Sequence, residues 1–226
     1  MSLIISIETS TDVCSVALHN NGKLLKELIL HEPRAHAAKL APLIDEIFKS
    51  QRLALSDLQA VAVSSGPGSY TGLRIGTSTA KGICFALNIP LIAIPTLELL
   101  AFAVKPHTES DLLCPMIDAR RMEVYCGVYN NKHELLHPIK AIEVNEHTFS
   151  ELLKDRKMLF FGNGASKAVA VLNNPNAMLV DNIIPSASLL GQLAEKKFQQ
   201  GLFENLVEFA PFYLKEFEAK KAKSFF

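Results

Sequence analysis

The feature that most constrains this chain is an order of elements that occurs twice. In the first half, Leu3 to Ile7, Ser15 to Leu18 and Lys23 to Leu30 are β-branched or alternating runs. His19-Asn20-Asn21-Gly22 lies between the last two, and Asn-Gly supplies the positive φ angles of a tight hairpin turn. A short strand, Ala60 to Ser64, then feeds Gly66-Pro67-Gly68-Ser69-Tyr70-Thr71-Gly72 and a helix over Leu73 to Leu87. In the second half, Leu113 to Ile117 and Glu123 to Tyr129 read as strands, Asn130-Asn131-Lys132 as a turn before a third strand, and Leu159-Phe160-Phe161 leads to Gly162-Asn163-Gly164-Ala165-Ser166 and a helical segment. Ser15 to Asn21 followed by Leu24-Leu25 parallels Cys126 to Asn131 followed by Leu135-Leu136. Strand, hairpin, strand, glycine loop and helix recurring in one order point to a duplicated α/β unit.

Other elements fill the gaps. Leu40, Leu43, Ile44, Ile47 and Phe48 form one helical stripe within Ala37 to Gln51, and Pro42 inside it predicts a helix that begins or kinks there. Leu91 to Ile94 is a strand and Thr96 to Val104 a helix. Pro106 to Asp111 is a polar break, which divides the chain into lobes at 1–105 and 106–226. Ser188 to Gln200 is an amphipathic helix ended by Gly201, expected to pack back on the first lobe. The tail Ala219 to Lys223 is basic and expected to fray.

Bulk composition excludes several classes. With 226 residues, 49% of them apolar, the chain can bury a real core. Lys plus Arg and Asp plus Glu are 23 each, so no global field draws it to nucleic acid or an anionic membrane. Any RNA contact is then local or made through a partner. No apolar run approaches about 18 residues and no basic leader precedes the first strand, so a cytoplasmic protein is expected. Cys14, Cys84, Cys114 and Cys126 form no CxxC pair and read as small buried residues.

Three motifs carry candidate chemistry. Gly66, Gly68 and Gly72, with Ser69, precede a helix N-terminus, where free N–H groups hold an anion or where the turn merely reverses the chain. Gly162 and Gly164 repeat that choice. Glu8, Thr9 and Ser10 end the first strand with a carboxylate and hydroxyls that suit a phosphate and its magnesium, or simply cap a turn; Asp118-Ala119-Arg120-Arg121 occupies the matching place. His133-Glu134-Leu135-Leu136-His137 spells HExxH, which binds zinc only on a helix. A turn at Asn130-Asn131 and Pro138 leave no room for one, and a β-strand would set the two histidines about 13 Å apart.

Ile7-Glu8-Thr9-Ser10, the stretch Gly66 to Gly76, Gly162-Asn163-Gly164-Ala165 and Pro211-Phe212-Tyr213-Leu214 together resemble the TsaB (YeaZ) family over nearly the whole chain. That resemblance implies the duplicated actin-like ATPase and sugar-kinase (ASKHA, ribonuclease H-like) fold with an abbreviated second lobe. It also implies a non-catalytic subunit that pairs with catalytic TsaD, in a complex with the ATPase TsaE, for threonylcarbamoyl transfer to an anticodon-loop adenosine of tRNA. The tRNA is then met indirectly, through the complex. TsaD carries a metal-binding histidine pair in an H-L-E-G-H-like pattern where this chain reads Thr96-Leu97-Glu98-Leu99-Leu100. Thr96 and Leu100 cannot replace imidazole. Glu8 also stands where the superfamily's kinases carry aspartate.

The resemblance further implies no required cofactor or metal, with ATP or ADP expected at the complex and not on this chain alone. The same face serves a homodimer when the chain is by itself. Leu40, Leu43 and Ile47 of one helix and Arg74, Thr77 and Lys81 of the other are the expected pairing residues. The alternatives are a small ASKHA-type kinase or ATPase using Glu8, Thr9, Gly66, Gly68 and Gly164, and a zinc peptidase using HExxH.

Overall fold

In a computed structural model, the described residues are 2–215 apart from 33, 107, 109 and 110, so the expectation for Ala219 to Lys223 lies outside them. The chain opens with strands β1 (Leu3–Glu8), β2 (Cys14–Asn20) and β3 (Lys23–Leu30), an antiparallel meander. Its second turn is made by Asn21 and Gly22, both at positive φ (49° and 73°), as the Asn-Gly pair requires. Helix α1 (His36–Gln51), a short 3-10 turn, β4 (Ala60–Ser64), α2 (Tyr70–Leu87), β5 (Leu91–Ile94) and α3 (Thr96–Ala103) complete the first set.

The second set runs β6 (Leu112–Asp118), β7 (Glu123–Tyr129), β8 (Leu135–Glu143), α4 (Ser150–Leu153), β9 (Met158–Phe161), α5 (Ala165–Leu172), β10 (Ala177–Leu179) and α6 (Ala187–Gln199). The sheets are ordered β3-β2-β1-β4-β5 and β10-β9-β6-β7-β8. Counted from each set's first strand, both read third, second, first, fourth, fifth. In both, the first strand pairs antiparallel with the second and parallel with the fourth. The duplicated α/β architecture is therefore present in strand order and direction as well as in sequence.

Strands β1 and β4 are buried along their whole length, as parallel strands covered on both faces must be. Leu3, Ile5 and Ile7 join Val61 and Val63 beneath Leu40, Ile44, Ile47 and Phe48 of α1 and Ala80 and Cys84 of α2. On the opposite face Ile4, Ala60, Ala62, Ile92 and Ile94 meet Leu190, Leu193 and Ala194 of α6. Helix α6, reached only after the second sheet, thus lies across the first one. Gly191 lets it descend: a Cβ there would stand 2.2 Å from the His19 ring. Ser2 Oγ donates to the Glu195 carboxylate at 2.7 Å and fastens the helix end. Conversely, Leu97, Leu100 and Ala101 of α3 pack with Leu113, Ile117, Tyr129 and Phe161 of the second sheet. Each set lends its last helix to the other.

One expectation is corrected, and two short elements are new. Helix α1 starts at His36 and carries Pro42 in its interior; the stripe Leu40, Ile44, Ile47 and Phe48, all buried, outweighs the one hydrogen bond that proline removes. Helix α4, the counterpart of α1, has four residues against sixteen, and it and β10 carry too little periodicity to be read from sequence. The four cysteines are free and buried as expected; burial pushes the Cys14 and Cys84 thiols up to about 11.

Candidate functional site

The strand ends of the first sheet bring Glu8, Thr9, Ser10 and the glycine loop together, and the loop closes on its own chain. A Cβ at Gly72 would lie 2.1 Å from the Thr9 carbonyl oxygen, and one at Gly76 would lie 2.2 Å from Thr9 Oγ1. At Gly68 the obstacle is the Ser10 carbonyl oxygen, at 2.4 Å. Thr9 Oγ1 donates to the Gly72 carbonyl at 2.8 Å, the Ser69 N–H donates to the Ser10 carbonyl at 2.7 Å, and Ser69 Oγ caps α2 by accepting from the Gly72 N–H. The room a side chain would need at Gly68, Gly72 and Gly76 is filled by Thr9 and Ser10. Gly66, at φ +102°, faces the Phe212 carbonyl, whose residue donates its N–H to the Ser65 carbonyl. Gly66, Gly68, Ser69 and Gly72 thus form a packing joint, in which the Ser69 and Gly72 N–H groups are taken by the chain itself.

The second loop behaves alike. A Cβ at Gly162 would lie 2.3 Å from the Met116 carbonyl oxygen, and one at Gly164 2.9 Å from the Ile117 carbonyl carbon. Asp118, the counterpart of Glu8, is exposed and pairs with Lys167 at 2.5 Å.

Glu8 is fully buried, with Oε1 accepting from the Ser10 N–H at 2.6 Å and from the Ser10 hydroxyl. Its Oε2 and the hydroxyls of Ser6, Ser64 and Thr96 are buried without a hydrogen-bond partner among the described residues. Burial raises the Glu8 pKa above the ordinary 4.5, only partly offset by the Ser10 hydrogen bonds and the nearby Ser64 hydroxyl. Between pH 4.5 and its folded-state pKa, Glu8 holds a proton in the folded state that the unfolded state releases, so its contribution to stability is fully present below pH 4.5 and is lost as pH rises through the folded-state pKa. Glu8→Gln is expected to keep the acceptor for Ser10 and abolish this decline. Melting curves from pH 4 to 8 check it: the variant should gain on the parent as pH rises, and parallel curves would place the charge elsewhere.

The HExxH residues lie on a turn and strand β8, not on a helix. His133 Nε2 donates to the Val104 carbonyl at 3.1 Å, and Glu134 is bound by Asn130 Nδ2 at 2.7 Å. Among the described residues no cluster of three or more His, Cys, Asp or Glu is placed to hold a metal.

Of the expected pairing residues, Leu40, Ile47 and Thr77 are buried inside the chain's own core. A helical stripe marks the side facing the sheet, and these residues lie on it. Leu43 is half-buried against the same core, and Lys81 Nζ donates to the Val207 and Phe209 carbonyls, holding residues 204–215 as a strap across α2. Of the six, Arg74 alone is exposed. The outward ridge of α2 is Arg74, Ser78, Gly82 and Phe85, with Phe85 82% exposed and Val207 of the strap 88% exposed. Sequence reasoning missed Phe85; the available signal was a large apolar residue standing off the buried stripe, four residues from Lys81.

The family model described as "TsaD: tRNA N6-adenosine threonylcarbamoyltransferase" matches residues 24–224. The chain is 31% identical over 195 residues to "tRNA threonylcarbamoyladenosine biosynthesis protein TsaB" of Bacillus subtilis, covering 85% of this chain and 81% of that protein. A solved Pseudomonas aeruginosa structure, described as an uncharacterized protein with similarity to peptidase YEAZ, superposes with TM-score 0.82 at 28% identity over 95% of this chain and 100% of its own. An ADPNP-bound activator of 2-hydroxyisocaproyl-CoA dehydratase from Clostridium difficile shares the fold at TM-score 0.52 and 12% identity, over 90% of this chain and 98% of its own. With the duplicated sheets, the glycine joints and these likenesses in hand, the chain belongs to the TsaB (YeaZ) family and has the ASKHA-type fold.

Proposed function

We propose that the chain serves tRNA threonylcarbamoyladenosine biosynthesis as a non-catalytic subunit that pairs with a TsaD-type transferase, with a TsaE-type ATPase as further partner and the tRNA as shared substrate. The observation that carries this reading is the start of α3. Thr96 and Leu100, one turn apart and both buried, stand where the transferase carries its histidine pair, and neither side chain offers an imidazole. The glycine joint supports the same reading, since the Ser69 and Gly72 N–H groups that a bound phosphate would use already serve the chain itself. The pairing face is the outer side of α2 with its ridge to Phe85 and the neighbouring Val207. Alone, the chain uses that face for a homodimer. A reaction on tRNA also puts the protein in the cytoplasm, and no helix among the described residues is long and apolar enough to cross a membrane.

Light scattering of the chain with TsaD from its own organism, coupled to a threonylcarbamoylation assay, tests the proposal. A mixed complex whose activity requires this chain is the expected result. ATP turnover by the chain alone, lost in Glu8→Ala, would transfer the assignment to the kinase reading.

A further inference from the structure

We infer that this chain touches the substrate RNA directly, through an aromatic and cationic strip that joins its two halves; the inference rests on the tRNA-modification reading above and names the part of the tRNA it takes, an unpaired loop. The strip begins on α2. The Arg74 guanidinium lies 5.3 Å from the centroid of the Tyr70 ring, and the Tyr213 ring centroid is 4.7 Å from it. Tyr213 remains 37% exposed and Phe212 beside it 48%. The strap then carries Lys215, at most about 7 Å further along the backbone, to Glu123 at the start of β7, where the two side chains pair.

Glu123 closes the β6–β7 hairpin by donating its N–H to the Arg120 carbonyl and accepting from the Ala119 N–H. That turn presents Arg120 and Arg121, both exposed and both at positive φ (71° and 51°). The acidic groups of this hairpin are already engaged, Asp118 by Lys167 and Glu123 by Lys215. In a chain with equal numbers of acidic and basic residues, the strip therefore gathers cationic charge beside exposed aromatic faces.

Arg74 beside the Tyr70–Tyr213 pair, with Arg120 and Arg121 on the hairpin that Lys215 reaches, matches an unpaired RNA segment, whose bases stack on rings and whose phosphates take the guanidinium groups. A duplex would offer backbone charge but no free base faces. A protein surface would use the rings, yet has no regular row of anions to meet Arg74, Arg120 and Arg121. The apolar ridge ending at Phe85 is a separate feature, further along the same helix, and is left to the protein partner.

The experiment uses the complex of this chain with its TsaD partner and an unmodified tRNA transcript. Pairing is followed by light scattering, RNA affinity by fluorescence anisotropy at several salt concentrations, and the KM for tRNA by the modification assay. Tyr213→Ala is expected to leave pairing intact and weaken RNA binding about tenfold, with Tyr213→Phe near the parent. Arg120→Glu combined with Arg121→Glu is expected to lower the salt dependence by about two units. Unchanged affinity and KM in an intact complex would overturn the inference while sparing the proposed function. Loss of pairing in Tyr213→Ala, with its melting temperature kept, would overturn it differently, by making the strip a protein contact. If the unsubstituted chain neither pairs nor supports modification, it is the proposed function that fails.

Discussion

Gly72→Ala is expected to lower the melting temperature by roughly 6–12 °C, the consequence of about 3 kcal/mol of overpacking in a chain of this length. The new methyl would sit 2.1 Å from the Thr9 carbonyl oxygen, a backbone atom with no rotamer to escape into. Relieving the clash moves α2 away from β1 and breaks the 2.8 Å bond from Thr9 Oγ1 to the Gly72 carbonyl. Gly82→Ala supplies the control on the same helix. Nothing lies within 4 Å of its Cβ position, and alanine is favoured over glycine in a helix by about 1 kcal/mol, so that variant should melt at or above the parent. Calorimetry on the three proteins decides the matter; equal melting temperatures for Gly72→Ala and Gly82→Ala would mean that the joint has slack.

The second large effect separates surface from core. Phe85→Glu places a charge at a site that is 82% exposed, where a substitution should change stability by no more than about 0.5 kcal/mol. At the centre of a pairing face the same change should cost about 2 kcal/mol or more, weakening association with TsaD at least ~30-fold. Ile47→Asp does the opposite. It buries a carboxylate at a position with no exposure at all, at about 4 kcal/mol or more, and loses pairing only by losing the fold. Circular dichroism melts alongside light scattering distinguish the two. A Phe85→Glu protein that still pairs at parental affinity would remove α2's outer ridge from the interface.

Ile47 also shows where sequence reading reached its limit. Periodicity in Ala37 to Gln51 located the helix well and identified its apolar side, but that side is the one a soluble helix turns inward. Taking Leu40 and Ile47 as partner contacts confused core with surface, and the exposed Phe85 carried no periodic signal. The strands fared better. The Asn-Gly turn led to β3, and short apolar or β-branched runs bounded by turn residues led to β4, β5 and β7, all with the bounds observed, because β3 is set by local turn chemistry and β4 and β5 are continuous apolar runs buried on both faces. The four-residue α4 and three-residue β10 are held by neighbours and not by their own propensities. For Gly66 to Gly76 the sequence correctly marked a place of close backbone approach. Which backbone approaches depends on residues some 60 positions earlier and on Phe212, far later, and no local pattern encodes either.

The exchange of terminal helices sets the order in which the protein can become complete. On the ribosome, Ile4, Ala62 and Ile92 emerge early and form one face of a sheet whose cover, Leu190, Leu193 and Ala194, is translated last. At elongation rates of about 5–20 residues per second, that apolar face waits on the order of 5–20 s for its lid. The nascent first half is thus a client for whatever shields hydrophobic surface during synthesis, and a ribosome stalled before Ala187 releases a chain whose first sheet has α3 but lacks the α6 cover on that side.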